Sequence, residues 1–258
     1  MTATTIQQAI DRLHAITARA ERDATPMGYF SALYARVTTT VARRLREGFF
    51  DDGPRMERID VAFANLYIDA AEGHLRGAGP VRAAWRVAFG ACEVREAIVL
   101  QHIYLGMNAH LLVDLPVALV SVCPPGALLA ARRDFRRIND VVRSELGAFH
   151  ADLCAISPRL AVLKRVAGGL WASGSGAVLV TAREIAWRRA EELSALPEDA
   201  RGQRAEELDA TAARLARKIL EPGPALRLAV RAVRAQESND VRGIIATLKG
   251  STPALAAA

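Results

Sequence analysis

A continuous apolar stretch from Ala97 to Val122 constrains the fold of this 258-residue chain more than any other feature. The stretch is apolar on nearly every side, and it is long enough to resemble a membrane span. His102, His110 and Asp114 lie within it, however, and ionisable groups cost roughly 3 kcal/mol each at the centre of a bilayer. We therefore expect no stable membrane span, but a central helix that other helices surround.

The other segments repeat their apolar residues with the period of an α-helix, and breaks rich in Pro or Gly separate them. No strand-like alternation and no internal repeat is visible. The pattern predicts an all-α protein, a single globular domain of about ten helices around a buried central helix. The predicted helices cover about residues 4–21, 30–45, 55–75, 97–122, 127–156, 160–172, 177–196, 204–220 and 225–236, and a further one after residue 80 carries Trp85 and Phe89.

This domain is predicted to span residues 1–250. We expect residues 27–155, which include the central helix, to form its functional core. The dense Arg and Glu pattern after Arg183 predicts solvated, peripheral helices over residues 158–250. The last residues, 251–258, have the composition of a disordered tail.

Composition and charge exclude several classes of protein. A hydrophobic content of 51% excludes a disordered chain. Three cysteines without CxxC spacing exclude a disulfide scaffold and a zinc knuckle, and they fit a reducing compartment. The first residues show no secretory signal, so we expect a cytoplasmic protein. The net charge of +6 is spread among negative residues without a compact basic helix, so no nucleic-acid partner is expected.

The polar residues of the central helix carry the functional signal. His110 and Asp114 are four residues apart and should project from one face, about 6 Å apart along the axis. Gly106 lies between them and His102, and a glycine in a buried helix suggests that something approaches the backbone closely. A buried imidazole and carboxylate need compensation, either from a divalent metal such as zinc or from partners on neighbouring helices.

Polar residues elsewhere could complete a site. Asp60 is either a first-turn carboxylate favoured by the helix dipole or a site residue, and His74 is either an exposed helix-end cation or a ligand. Asp134 and Asn139 lie among four arginines, which suits an ion-pair network as well as an anionic substrate. His150 could be a core-edge histidine or another ligand.

These considerations give a set of candidate residues for three roles. The catalytic candidates are Asp60, Asp134, His102 and Tyr104. The metal-ligand candidates are His110, Asp114, His102, Asp60 and His150. The substrate-binding candidates are Asn108, Gln101, Arg136 and Asn139.

Three sequence blocks resemble an uncharacterised bacterial family of unknown function. They are MERIDVAFANLY at residues 56–67, QHIYLGMNAHLLVDLP at 101–116 and DFRRIN at 134–139, in this order. The resemblance covers about residues 27–155. It implies no activity.

A more distant similarity links YLGMNAHLLVD, residues 104–114, to zinc-dependent phospholipase C and the S1/P1-type nucleases. That all-α family cleaves phosphoesters with a zinc cluster, and the similarity implies that His110 and Asp114 are zinc ligands. It also implies ligand roles for the pair Asp60 and His74, and for His150. The chain departs from the family at its N-terminus, which lacks the ligating Trp, and at Val120 and Cys154, where a histidine and a glutamate are expected. One or two metals, not three, remain compatible.

The sequence leaves three functions open. The first is a metal-dependent hydrolase that acts on an ester or phosphoester, with the metal held by the His and Asp of the central helix. The second is a metal-free biosynthetic enzyme, a cyclase, isomerase or lyase, with an apolar pocket and His/Asp acid–base residues. The third is a non-enzymatic helical binding protein. In the first two the partner is a small-molecule substrate, and the oligomeric state stays open.

Overall fold

A computed structural model describes residues 2–77, 81–160 and 176–250, and this part of the chain contains ten helices and no strand. The all-α prediction is thereby confirmed. The helices are α1 Ile6–Arg22, α2 Met27–Arg46, α3 Gly53–Arg76, α4 Ala83–Gly90, α5 Val99–Val122, α6 Arg132–Ile156, α7 Gly176–Ala195, α8 Glu198–Leu220, α9 Pro224–Arg234 and α10 Val241–Leu248. Apart from Leu160, the predicted helix over residues 160–172 lies outside the described residues, and so does the predicted tail over 251–258.

Local chemistry explains where several helices begin. Asp52 accepts the N–H of Arg55 at 2.9 Å and caps α3, which has Pro54 in its first turn. Helix α8 begins at Glu198, six residues before the predicted start, because Pro197 precedes two acidic first-turn residues that suit the helix dipole. Helix α10 was not predicted, although Asp240 accepts the N–H of Gly243 as an N-cap.

Helix α5 is the centre of the fold. It packs against α2, α4 and α8 in its first half and against α3 and α7 in its second half. By length and composition α5 could cross a membrane, but 67% of its most apolar window is buried by the surrounding helices. This burial is what a core helix requires, and it is compatible with the expected absence of a stable membrane span.

The helices after residue 176 are tied to the first half of the chain by buried polar contacts. Asp209 of α8 accepts the backbone N–H groups of Ala83 and Ala84 at 2.6 and 2.9 Å. These groups belong to the first turn of α4, which has no side-chain cap of its own. A buried carboxylate from α8 thus satisfies the free donors at the start of α4.

Candidate active site

The middle of α5 departs from α-helical geometry. Residues His110–Asp114 form a π turn, in which the N–H of Leu115 donates to the carbonyl of His110, five residues back. Pro116 has no N–H, so the carbonyl of Leu112 lacks its usual donor four residues on. Arg189 of α7 supplies the missing donor through its Nη1, 2.5 Å from that carbonyl oxygen. Such turns are rare and occur frequently at functional sites.

The π turn presents His110 and Asp114 to each other. Nδ1 of His110 lies 3.1 Å from Oδ2 of Asp114, and the same oxygen accepts the indole N–H of Trp85 at 2.9 Å. A carboxylate can only accept, so this contact assigns the imidazole proton to Nδ1 and leaves Nε2 as the basic nitrogen. The other carboxylate oxygen of Asp114, Oδ1, has no hydrogen-bond partner.

The imidazole of His110 is packed among aromatic rings and is only 3% exposed. The Phe63 ring stacks on it with a centroid separation of 3.6 Å, and Tyr34 meets it edge-on at 4.4 Å. Burial lowers the pKa of His110, and the hydrogen bond and charge of Asp114 only partly oppose this effect. His110 is therefore neutral at pH 7, and its Nε2 is free to accept a proton.

An apolar cavity of about 160 Å³ adjoins His110. Side chains of α2, α3, α5 and α6 form most of its wall, and α7 contributes Leu179 and Arg183. Its wall is almost entirely aliphatic and aromatic. The polar residues that line it are Tyr34, Asp60, Tyr104, His110, Glu145, His150 and Arg183.

Three of these polar residues carry a buried atom without a hydrogen-bond partner in the part of the chain that the structure describes. The atoms are Oη of Tyr34, Oδ2 of Asp60 and Nε2 of His110. Buried polar atoms are normally satisfied, because an unmade hydrogen bond costs about 1–3 kcal/mol each. Because three such atoms belong to residues that line one cavity, the cavity resembles a ligand site more than ordinary core packing.

Asp60 and Arg183 are buried charged residues of this group that influence each other electrostatically. Burial raises the pKa of Asp60 to about 7, Arg183 opposes this effect, and Glu57 adds to it. The Arg183 guanidinium is 5% exposed and donates from Nε to Oδ1 of Asn139 and from Nη2 to the carbonyl of Phe135, both at 2.8 Å. Asp60 can thus hold or release a proton near neutral pH, beside a fixed cation.

The close approach that Gly106 implied comes from within the protein. A Cβ at this position would lie 2.4 Å from Cγ of Phe30, so the glycine makes room for the Phe30 ring of α2. Phe30 in turn contacts the rings of Tyr67, Trp85 and His110, with centroid separations of 5.1 to 5.7 Å. The glycine therefore positions the aromatic wall around His110.

His102 lies apart from His110 and does not line the apolar cavity. Its ring meets the Tyr29 ring edge-on at 5.6 Å. Burial lowers its pKa to about 4, and nearby Arg234 acts in the same direction. The two histidines are eight residues apart, which places them about 80° apart around the helix axis. The π turn begins only at His110, so the helix between them is regular.

Two of the predicted substrate-binding residues hold α8 in place. Nε2 of Gln101 donates to the carbonyl of Ile219 at 2.8 Å, and its Oε1 accepts the N–H of Ile98. Nδ2 of Asn108 donates to the carbonyl of Ala212 at 2.9 Å, while its Oδ1 has no partner. Neither residue lines the apolar cavity.

The polar residues of α6 serve different purposes. Asp134 is 1% exposed and accepts the backbone N–H groups of Asp51 and Asp52 at 2.8 and 2.9 Å, so it anchors the loop between α2 and α3. Asn139 accepts the Nε–H of Arg183 and so helps to hold its guanidinium in place. Arg136 is exposed and lies 3.9 Å from Glu184.

Tyr104 and His150 line the same cavity as His110, and burial raises the pKa of Tyr104. His150 is exposed, and its Nε2 lies 3.6 Å from Sγ of Cys154. His74 stacks on Phe89 at 4.7 Å and does not line the cavity. Within the described ranges, no three His, Cys, Asp or Glu side chains are grouped closely enough to hold a metal ion.

Three site residues were not identified from the sequence. Tyr34 and Phe63 follow the helical period of ordinary core residues, so their positions carry no separate signal. Arg183 was assigned to the start of a solvated region, but it interrupts the mostly apolar run GAVLVTAREIAW at residues 176–187. A charged residue in an apolar helical face is the signal that could have identified it.

Comparison with known proteins identifies the family. The model of a family of unknown function (DUF5995) matches residues 6–222, which include α1 to α8. The chain belongs to this family. The match confirms the resemblance to a family of unknown function, and it extends beyond residues 27–155 on both sides.

The DUF5995 match takes in every residue of the π turn and of the apolar cavity wall that the structure describes. No curated protein and no solved structure matches the chain. The similarity to zinc-dependent phospholipase C and the nucleases thus receives no support from these comparisons.

Proposed function

We propose that this protein is a metal-free enzyme that performs acid–base chemistry on an apolar small molecule. One observation carries the proposal: Nε2 of His110, Oδ2 of Asp60 and Oη of Tyr34 are buried without a partner, and all three residues line one apolar cavity. An orienting carboxylate behind the histidine and an acid with a pKa near 7 are what general acid–base catalysis requires.

His110 is the proposed general base. Asp114 holds its Nδ1 proton and stabilises the imidazolium that forms when Nε2 removes a proton from the substrate. Asp60 is the proposed acid that returns a proton to the substrate, and Tyr34 donates a hydrogen bond to the oxygen that develops charge. The apolar, aromatic surroundings strengthen each of these interactions. Proton removal and return at two positions is isomerase, lyase or cyclase chemistry.

Differential metabolite profiling tests this proposal. The purified protein is incubated with a mixture of apolar metabolites, and the products are compared by mass spectrometry with those of His110→Gln. We expect a compound that only the wild type converts, into a product of equal mass or one lighter by water. His14→Gln, the same change at an exposed site on α1, is the control and should retain conversion. Retention of an unchanged compound by both proteins would instead indicate a binding protein.

The metal-dependent hydrolase remains a second prediction, which rests on the helical spacing of His110 and Asp114. Elemental analysis of the purified protein decides between the two. Near-stoichiometric zinc, manganese or iron that a folded His110→Ala, Asp114→Ala double variant no longer holds would overturn the metal-free proposal. It would also direct the search towards esters and phosphoesters.

A further inference from the structure

We infer that the cavity binds, at His110, Tyr34 and Asp60, the hydroxyl group of an uncharged apolar molecule. This inference rests on the proposed function and names the substrate class. It starts from the hydrogen-bonding capacity of the three unpartnered atoms. Nε2 of His110 can only accept, because Nδ1 carries the proton. Oη of Tyr34 can both donate and accept, and Oδ2 of Asp60 accepts when ionised and donates when protonated.

A hydroxyl group matches this set better than any group that lacks a proton. It donates to Nε2 of His110 and accepts from Oη of Tyr34 or from protonated Asp60. An ether, ester or ketone oxygen can only accept, so it would leave Nε2 of His110 buried without a donor. Such an unmade hydrogen bond corresponds to roughly tenfold in affinity or more.

The charges around the cavity disfavour an anionic ligand. Among the described residues, two carboxyl groups, Asp60 and Glu145, line the cavity together with one guanidinium, Arg183. Two donor groups of that cation are already bound, to Asn139 and to the carbonyl of Phe135. A carboxylate or phosphate ligand would meet acceptors at His110 and at ionised Asp60, so its negative charge would face unfavourable contacts there.

The volume of the cavity sets the size of the molecule. At about 160 Å³ it is comparable with the roughly 150 Å³ engineered apolar cavity that accepts benzene. A six-membered ring with a short polar arm is therefore a suitable probe. Cyclohexylmethanol, its methyl ether and cyclohexanecarboxylate share one skeleton and differ only in the polar group.

Titration calorimetry of the full chain with these three probes tests the inference. We expect cyclohexylmethanol to bind at least about tenfold more tightly than the ether and the carboxylate. Tyr34→Phe should reduce the affinity for the alcohol, because its oxygen loses the hydrogen bond that Oη of Tyr34 donates. Tyr67→Phe is the matched control: its Oη is also buried and unpartnered, but Tyr67 does not line this cavity. This control should leave the preference for the alcohol unchanged.

An ether or carboxylate that binds as tightly as the alcohol would overturn the inference, and so would no detectable binding of the alcohol. Equal effects of the two Tyr→Phe variants would overturn it as well. Calorimetry needs no turnover, so the outcome is distinguishable from that of metabolite profiling. Preferential binding of the alcohol without any conversion of metabolites would contradict the enzymatic function alone.

Discussion

A single carboxylate oxygen determines which nitrogen of His110 is basic. Oδ2 of Asp114 accepts from both Trp85 and His110, so replacing Asp114 leaves two buried donors without an acceptor. We expect Asp114→Ala to lower the free energy of unfolding by about 2–5 kcal/mol, measured by urea denaturation. Asp140→Ala removes an exposed aspartate of α6 and should stay within about 0.5 kcal/mol of the wild type. Similar losses in the two variants would contradict the assigned network.

Asp60 should make the stability of the protein depend on pH. Its pKa is raised from 3.8 to about 7, so between these values the folded state binds more protons than the unfolded state. The contribution of Asp60 to the free energy of unfolding therefore falls as pH rises from about 4 to 7 and then stays level. Asp60→Asn should remove this fall, which is on the order of 2–4 kcal/mol.

Urea denaturation at pH 4.5 and pH 8 measures this effect. The Asp60→Asn variant should gain stability relative to the wild type as pH rises between these two values. Asp69→Asn, at an exposed position of the same helix, provides the comparison. A stability difference between Asp60→Asn and wild type that does not change with pH would contradict the raised pKa of Asp60.

At the scale of single helices, the sequence indicated the features that depend on local spacing. The apolar stretch predicted the central helix α5, and the separation of four residues predicted that His110 and Asp114 lie together. The π turn was not predicted, because it depends on Pro116 and on a donor from a distant helix, Arg189. Tyr34, Asp60 and Arg183 come from α2, α3 and α7, and no sequence spacing relates residues that only tertiary packing brings together.

The crossing of α2 and α5 depends on the absence of a side chain at Gly106. A Cβ there would lie 2.4 Å from the Phe30 ring, so we expect Gly106→Ala to destabilise the protein by about 2–3 kcal/mol. Gly147→Ala is the matched control, because this helical glycine has no neighbouring atom within 4 Å of an added Cβ. The control should stabilise the protein by about 0.5–1 kcal/mol. Thermal and urea unfolding measure the stability of both variants. A change of stability in the same direction for both would contradict the close contact at Gly106.

Pro116 and Arg189 should be energetically coupled. Arg189→Ala leaves the carbonyl of Leu112 without a donor, at an expected cost of about 1–3 kcal/mol. Pro116→Ala restores a backbone N–H that can bond to this carbonyl, so the cost of Arg189→Ala should be smaller in that background. A double-mutant cycle measures this coupling, and strictly additive effects would show that the two residues act independently.

At the scale of the whole molecule, the helices after residue 176 are part of the same structural unit as the first half. Arg183 and Arg189 of α7 meet the cavity and the π turn, and Asp209 of α8 caps α4. Amphipathic patterns rich in Arg and Glu indicated solvated faces in this region. They could not indicate which few arginines turn inward, because that choice depends on partners far away in the sequence.

The cavity also determines how the protein should respond to hydrostatic pressure. Internal voids disappear on unfolding, so the unfolded chain and its solvent occupy less volume than the folded protein, by some 20–100 mL/mol in typical cases. Whatever part of the cavity of about 160 Å³ excludes water adds to this difference, and a bound molecule removes that contribution. We expect saturating cyclohexylmethanol to raise the midpoint of pressure unfolding, monitored by tryptophan fluorescence, and to reduce the volume change. The volume change of unfolding, measured with and without the ligand, thus reports how much of the folded interior a ligand can fill.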